Sequence, residues 1–125
     1  MQPVRVLIVD GNSDFLTALT NWLDLSHVCR VAGSADSGAA ALAQVEQIQP
    51  DLVLMNSLLP DMGGLQATLL LKARNVAPKV IILTLGNEPI YYSAYRTGAD
   101  GVLDKADITA GLLPLIRQLF PAGSA

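Results

Sequence analysis

The sequence predicts an α/β fold in which five parallel strands alternate with five helices. Short apolar runs closed by turn residues recur five times, as expected for strands that are buried on both faces of a sheet. Between these runs lie longer segments whose apolar residues repeat at helical spacing. Because the connections are short, a parallel sheet covered by helices on both faces is the expected architecture.

The strand prediction rests on runs rich in Val, Ile and Leu, which are followed by Asp, Asn or Thr. The first run is interrupted only by Arg5, and the third is a continuous apolar segment that ends before Asn56. The predicted strands are Val4–Val9, Val28–Ala35, Leu52–Met55, Lys79–Leu83 and Gly101–Leu103.

The helix prediction rests on caps and apolar stripes. Ser13 is expected to cap the first helix, and Ser37 the second. The apolar face of the first helix is predicted to contain Phe15, Leu16, Leu19, Trp22 and Leu23. The other predicted helices span 38–48, 65–74, 89–98 and 107–120. The buried stripe predicted for the third helix consists of Leu65, Leu69, Leu70 and Ala73.

Composition and charge limit the classes of protein to consider. The chain has 125 residues, which suits one domain at 1–120, with 121–125 as a tail or the start of a linker. A tail that stops abruptly suggests a piece of a longer protein. Hydrophobic residues make up 51% and charged residues 15%, which disfavours disorder. No apolar run approaches a bilayer span, so we expect a cytoplasmic protein. The net charge of -3 argues against direct nucleic acid binding by this domain.

Polar side chains follow four of the five predicted strands. Asp10, Asn56, Thr84 and Lys105 come after the first, third, fourth and fifth strands. The carboxyl ends of parallel strands meet at one edge of the sheet, where such folds place their sites. We therefore expect these four side chains to converge. Cys29 is the single cysteine of the chain, which excludes an internal disulfide and a multi-cysteine metal site. It falls in a strand and is predicted to be a small core residue.

Several segments resemble the receiver domain of two-component response regulators, in particular receivers that precede helix-turn-helix DNA-binding domains. The matching segments are Val-Leu-Ile-Val-Asp at 6–10, Pro-Asp-Leu-Val-Leu-Met-Asn at 50–56, Leu-Pro-Asp-Met-Gly-Gly at 59–64, Ile-Ile-Leu-Thr at 81–84 and Gly-Ala-Asp-Gly-Val-Leu-Asp-Lys at 98–105. The resemblance implies a flavodoxin-like, doubly wound (βα)5 three-layer sandwich with strand order 2-1-3-4-5. It also implies a role in signal transduction.

The resemblance further implies what each site position does in the family. An aspartate at the place of Asn56 takes a phosphoryl group from a histidine kinase, and two acidic residues after the first strand help to hold Mg²⁺. A hydroxyl at the place of Thr84 and the amine of Lys105 then contact the phosphoryl group. Here Asn56 replaces the acceptor and Gly11 replaces the second acid, leaving Asp10. A neutral amide is a poor nucleophile and a weak ligand for Mg²⁺.

These departures predict an atypical receiver, or pseudo-receiver, that acts by protein–protein interaction without phosphorylation, cofactor, metal or catalysis. The alternative is a conventional phosphorelay receiver of a transcriptional regulator. In that case the acceptor aspartate was replaced by Asn56 through engineering, or it is regenerated by deamidation of Asn56 in the Asn56-Ser57 pair. A working enzyme is a weaker alternative. Gly11-Asn12-Ser13 is too short and too poor in glycine for a phosphate-cradling loop.

The candidate interaction surface lies on the fourth helix. Tyr91 and Tyr95 are four residues apart and therefore share one helix face. In the receiver family, partners or a second copy commonly dock on the face formed by helix 4, strand 5 and helix 5. We expect a protein partner or a homodimer there. The alternative is that both rings simply cover neighbouring side chains as ordinary amphipathic surface.

Overall fold

The computed structural model describes residues 2–86 and 90–121, apart from the side chains of Tyr91 and Tyr92. The strands are β1 Val4–Val9, β2 Cys29–Ala35, β3 Leu52–Asn56, β4 Lys79–Thr84 and β5 Gly101–Asp104. The helices are α1 Ser13–Ser26, α2 Gly38–Ile48, α3 Gly64–Lys72, α4 Tyr91–Arg96 and α5 Ile108–Leu119. A 3-10 turn, Lys105–Asp107, joins β5 to α5.

The five strands form one parallel sheet of order β2-β1-β3-β4-β5, as the resemblance implied. One apolar cluster packs α1 and α5 against one face of the sheet, and a second packs α2, α3 and α4 against the other. The register pairs Asn56 with Leu83 and Thr84 with Asp104. The polar ends of β3, β4 and β5 therefore lie side by side at the carboxyl edge.

The apolar runs form strands because the sheet buries both of their faces. All five residues of β3 are buried. Val53 and Met55 belong to the cluster under α2 and α3, whereas Leu52 and Leu54 belong to the cluster under α1 and α5. Alternate residues point to opposite faces of a strand, so a continuous apolar run is needed where both faces are covered.

Most predicted boundaries agree with the structure within two residues, with one clear difference at a helix cap. The side chain of Asn12, not of Ser13, accepts a hydrogen bond from the Phe15 amide and caps α1. Helix α2 begins and ends as predicted, with Ser37 as its cap. The fourth helix begins at Tyr91, and the predicted start at Pro89 lies outside the described residues.

Cys29 is buried in β2, as predicted for a small core residue. Burial raises the pKa of its thiol to about 11, even though the Arg117 charge acts in the opposite direction. The protonated thiol is therefore the dominant form near neutral pH, and the side chain behaves as an apolar group.

The predicted buried stripe of α3 is wrong. Leu69, Leu70 and Ala73 are exposed, and Leu65 is only partly buried. The buried residues of the helix are Gly64, Ala67, Thr68 and Leu71. Helix α3 begins so close to β3 that a Cβ atom on Gly64 would overlap the carbonyl oxygen of Asn56. The small residues Gly64, Ala67 and Thr68 therefore face the sheet together with Leu71, whereas Leu69 and Leu70 lie on the outer side of the helix.

No helix in the part of the chain that the structure describes is both long enough and apolar enough to cross a membrane.

The close approach of α3 to β3 predicts different effects for two adjacent glycines. Gly64→Ala places a methyl group against the Asn56 backbone, and overpacking of this kind costs about 1–3 kcal/mol of unfolding free energy. Gly63→Ala is the matched control, because no atom lies within 4 Å of a Cβ built there. It should cost less than about 1 kcal/mol as a helix cap change. Urea denaturation of both variants makes the measurement, and equal losses would contradict the packing described here.

Candidate functional site

The polar residues that follow the strands converge at the carboxyl edge of the sheet, as predicted. Asp10 follows β1 directly, Asn56 ends β3, Thr84 ends β4 and Lys105 follows β5. Asp10, Asn56 and Thr84 are buried, with exposed fractions of 2%, 6% and 0%. Each side chain therefore depends on protein partners rather than on bulk water for its hydrogen bonds.

Asp10 and Lys105 form a buried ion pair across this edge. The Lys105 Nζ donates to Asp10 Oδ2 at 2.6 Å, and the two side chains are only 14% and 3% exposed. The other carboxylate oxygen, Oδ1, accepts the Asn12 amide at 2.9 Å. The ammonium also lies 4.0 Å from the centroid of the Phe15 ring, which is a favourable cation–π distance. Both carboxylate oxygens and the ammonium are thus engaged within the chain.

Asn56 and Thr84 each carry a buried atom that no described residue satisfies. The Asn56 amide nitrogen donates to the Leu58 carbonyl at 2.8 Å, which fixes the side chain against the loop that follows β3. Asn56 Oδ1 and Thr84 Oγ1 have no hydrogen-bond partner among the described residues. The site presents one neutral acceptor and one hydroxyl on neighbouring strands.

Gly11 leaves open space beside Asp10. A Cβ atom built on Gly11 would lie 3.8 Å from the Asp36 carbonyl oxygen and 3.9 Å from Pro60 Cδ. These are ordinary van der Waals distances, so a Cβ atom fits at this exposed position. Close packing therefore does not require the glycine.

The donor set does not fit the Mg²⁺ ion that the resemblance implies. Mg²⁺ prefers several oxygen ligands in octahedral geometry, usually with one or two carboxylates. Both oxygens of Asp10 already accept hydrogen bonds, and Asn56 offers only a neutral amide oxygen. Within residues 2–86 and 90–121, no three His, Cys, Asp or Glu side chains are grouped so as to hold a metal ion.

Asp61, in the loop between β3 and α3, is a structural residue that the sequence analysis missed. Its two carboxylate oxygens accept the Gly38 and Ala39 amides at 2.8 and 2.9 Å. These two hydrogen bonds, led by that of Ala39, lower the pKa of the Asp61 carboxyl. Asp61 therefore acts with Ser37 as a second cap of α2 and holds the loop beyond Asn56 in place.

Other side chains lie near this edge or on neighbouring elements. Leu85, directly after Thr84, is 52% exposed, and Val102 packs against the core. Tyr95 on α4 is also 52% exposed, whereas the Tyr91 side chain lies outside the description. His27 is exposed in a left-handed turn after α1, as a solvated turn residue should be.

The Asp10–Lys105 pair can be tested by a double-mutant cycle. Lys105→Met leaves a buried carboxylate without its counter-charge, which costs about 3 kcal/mol or more of unfolding free energy. Asp10→Asn leaves the Lys105 ammonium without its counter-charge and should also lower the free energy of unfolding. The double variant removes both charges and should be more stable than the sum of the single losses predicts, by more than about 1 kcal/mol. Additive losses in urea denaturation at pH 7 would show that the pair is not coupled.

Comparisons with known proteins identify the family. The family model described as "Response regulator receiver domain" matches residues 6–115. The chain is 34% identical over 118 residues to the response regulator GacA of Pseudomonas viridiflava, covering 94% of the chain and 55% of that protein. It is 33% identical over 105 residues to the probable transcriptional regulatory protein NarL of Mycobacterium tuberculosis, covering 83% of the chain and 49% of that protein. The chain thus spans about half the length of these curated relatives.

The solved structures agree with this result. The response regulator domain of Thermotoga maritima CheB superposes with a TM-score of 0.85 at 25% identity, covering 94% of this chain and 96% of that one. The receiver domain of the M. tuberculosis NarL gives a TM-score of 0.82 at 29% identity, covering 95% and 94%. Because the family model spans most of the sheet and all four site positions, the chain belongs to the response regulator receiver domain family of two-component signalling.

Proposed function

We propose that this receiver is atypical and signals by protein–protein recognition without phosphorylation of its own site. The observation that carries the proposal is the state of the carboxyl edge. Its buried carboxylate, Asp10, has both oxygens occupied, and the residue at the end of β3 is the neutral Asn56. In this proposal Asn56 is a degenerate phosphoacceptor position, and the domain is a binding module rather than an enzyme.

The charge balance of the site supports this proposal. A conventional receiver concentrates carboxylates that attract a divalent cation, and that cation offsets the charge of an incoming phosphoryl group. In this chain the charges of Asp10 and Lys105 cancel at a 2.6 Å contact. Drawing Lys105 towards a phosphoryl group would leave Asp10 buried without its partner, which is unfavourable. The site is therefore stable without a bound ion.

The alternative is a conventional receiver in which Asn56 stands in place of the acceptor aspartate, and this function requires different residues at the site. It requires an aspartate at residue 56 and ligands for Mg²⁺ from the remaining side chains. Deamidation or reversion of Asn56 alone supplies the nucleophile but not the second acid, because position 11 is glycine. The open space at Gly11 means that both acids can be restored by mutation without overpacking.

The phosphorylation chemistry gives a graded test. With acetyl phosphate and Mg²⁺, the wild-type chain should gain no phosphoryl mass, because an amide does not attack phosphorus. Asn56→Asp should gain little. Gly11→Asp/Asn56→Asp restores nucleophile and metal ligand together and should be labelled at least about tenfold more than Asn56→Asp, a difference of roughly 1.4 kcal/mol in the barrier. Intact-mass spectrometry makes the measurement.

The same measurement separates the two functions. A gain of one phosphoryl group by the wild-type chain that is lost in mild base, as an acyl phosphate would be, would support the conventional receiver and overturn the proposal. The mass of the peptide that contains residue 56 distinguishes Asn from Asp, so deamidation is detected in the same sample. Thr84→Val serves as a second control variant in the phosphorylation measurement, since the change removes the Thr84 hydroxyl without adding charge.

We further propose that a protein partner binds the face formed by α4, β5 and α5, where Tyr91 and Tyr95 are four residues apart. Tyr95 is half exposed, and exposed tyrosines are enriched in interfaces because they combine apolar area with a hydroxyl group. In the relatives with names such as "transcriptional regulatory protein", the receiver is one part of a longer chain. In this proposal, a signal passes through this face to the part of a longer chain that lies outside the receiver.

Tyrosine removal tests the proposed partner surface. Tyr91→Ala/Tyr95→Ala should lower partner capture at least about tenfold, as expected when interface residues worth more than 1.4 kcal/mol are truncated. Capture should be the same with and without acetyl phosphate. The control is Leu25→Ala, which removes an exposed apolar side chain from α1. If the double change leaves capture unaltered in a pull-down, the α4 face is an ordinary solvated surface.

A further inference from the structure

The carboxyl edge holds two buried polar atoms that lack a hydrogen bond within the described part of the chain. They are Asn56 Oδ1 and Thr84 Oγ1, and the two side chains are 6% and 0% exposed. Buried polar groups are nearly always hydrogen-bonded, because an unmade bond leaves the cost of desolvation uncompensated. Two such atoms in one site indicate that a group from outside the chain supplies the missing bonds.

The two atoms belong to side chains that one small polar group can contact together. Asn56 pairs with Leu83 in the sheet, so Thr84 lies one residue beyond it on the adjacent strand. Adjacent strands are about 4.8 Å apart and successive residues advance by about 3.3 Å, which puts the two Cα atoms roughly 6 Å apart. The Asn56 amide nitrogen donates to the Leu58 carbonyl at 2.8 Å and fixes the side chain. Its oxygen is therefore an acceptor in a set position.

The charges of the site favour a neutral ligand. The Lys105 ammonium contacts Asp10 at 2.6 Å, and the other Asp10 oxygen accepts the Asn12 amide. An anion has to draw Lys105 away from Asp10, and a cation has to draw Asp10 away from Lys105. Either change leaves a buried charge unpaired, which is unfavourable. Because Asn56 Oδ1 can only accept, whereas the Thr84 hydroxyl donates or accepts, the ligand must donate at least one hydrogen bond.

Exposed leucines lie close to both polar residues in the chain. Leu58 follows Asn56 by two residues and is 62% exposed, and Leu85 follows Thr84 directly and is 52% exposed. Sites for small molecules commonly combine apolar side chains with a few polar groups that fix the orientation of the ligand. The carboxyl edge therefore offers apolar surface next to a pair of uncharged hydrogen-bonding groups.

We propose that this edge binds a small neutral molecule that has an apolar body and an amide or hydroxyl head group. The head group donates to Asn56 Oδ1 and accepts from the Thr84 hydroxyl, and the apolar body covers Leu58 and Leu85. The ligand enters when these two exposed leucine side chains turn outward. The inference rests on the proposed function, because it assigns a ligand to a site that is not phosphorylated.

Three six-carbon probes that differ in the charge of the head group test the inference. Hexanamide is neutral, hexanoate is an anion and hexylamine is a cation at pH 7. In amide NMR titrations of the wild-type chain, hexanamide should give saturable shifts at Asn56, Leu58, Thr84 and Leu85, with a dissociation constant of about 1–10 mM. The two charged probes should bind at least about tenfold more weakly, because each requires the buried ion pair to separate. No saturable shift with hexanamide, or tighter binding of hexanoate, would overturn the inference.

Variants show whether hexanamide uses the groups named. Thr84→Val removes the hydroxyl and should weaken binding about fivefold, whereas Thr84→Ser keeps the hydroxyl and should bind like the wild type. Leu58→Gln/Leu85→Gln removes the apolar surface and should weaken binding at least about fivefold. Leu25→Gln makes the same change at an exposed leucine of α1 and is the matched control. Equal binding by all four variants would show that the probe lies elsewhere and would contradict the inference.

Stability without ligand gives an independent result. Thr84→Val replaces a hydroxyl that lacks a partner by a methyl group of similar size, so the urea midpoint should not fall. A clear fall would show that the folded chain or an ordered water already satisfies the hydroxyl, and it would overturn the inference.

This inference and the proposed function fail in different ways. A wild-type chain that neither gains a phosphoryl group nor binds hexanamide contradicts the inference and leaves the proposed function intact. A wild-type chain that is phosphorylated by acetyl phosphate overturns the proposed function, and the inference falls with it.

Discussion

The carboxyl edge of this receiver depends on a closed set of contacts around one ion pair. Lys105 contacts Asp10, Asp10 accepts the Asn12 amide, and the Asn12 side chain accepts the Phe15 amide. The Phe15 ring then lies beneath the Lys105 ammonium. The pair joins the ends of β1 and β5, which β3 and β4 separate in the sheet. Since Asn12 also caps α1, the same contacts fix the start of that helix. A buried pair of this kind is favourable only when further contacts satisfy its remaining atoms. Here Asp10 accepts a second hydrogen bond from the Asn12 amide, and the Phe15 ring faces the ammonium.

This arrangement links the fold to the proposed function. A receiver that is switched by phosphorylation needs a site whose charge is unbalanced until an ion and a phosphoryl group arrive. Here the balance is reached within the chain, and the neutral Asn56 lies beside it with its amide held by the Leu58 carbonyl. The surface that we propose for partner recognition lies elsewhere, on the face formed by α4, β5 and α5. The domain thus combines a receiver fold with a site whose two charged side chains, Asp10 and Lys105, are paired within the chain.

The sequence predicted the sheet well because burial on both faces leaves little ambiguity. A run such as Val6–Val9 or Leu52–Met55 suits the centre of a parallel sheet, and polar residues directly after such runs lie at one edge. The α3 stripe could not be found in this way. Leucines occur at positions 65, 69, 70 and 71, and a hydrophobicity ranking favours the wrong side of the helix. The side that faces the sheet is set by the close approach of Gly64 to the Asn56 backbone, which is a tertiary property. The Asp61 cap was missed for a similar reason, because its partners are more than twenty residues away in the sequence.

The most direct test of the central claim is a two-dimensional amide NMR titration of the wild-type chain with Mg²⁺ and then with beryllofluoride, which mimics a phosphoryl group. A site whose carboxylate is already occupied by Lys105 and Asn12 should bind neither probe. We expect the amide signals of Asp10, Asn56, Thr84 and Lys105 to stay in place up to about 10 mM Mg²⁺ with excess beryllofluoride, on the order of the concentrations at which weak ion binding is detected. Saturable shifts at these four residues would instead show that the site binds a phosphoryl group and that Asp10 is not held by Lys105 and Asn12 alone.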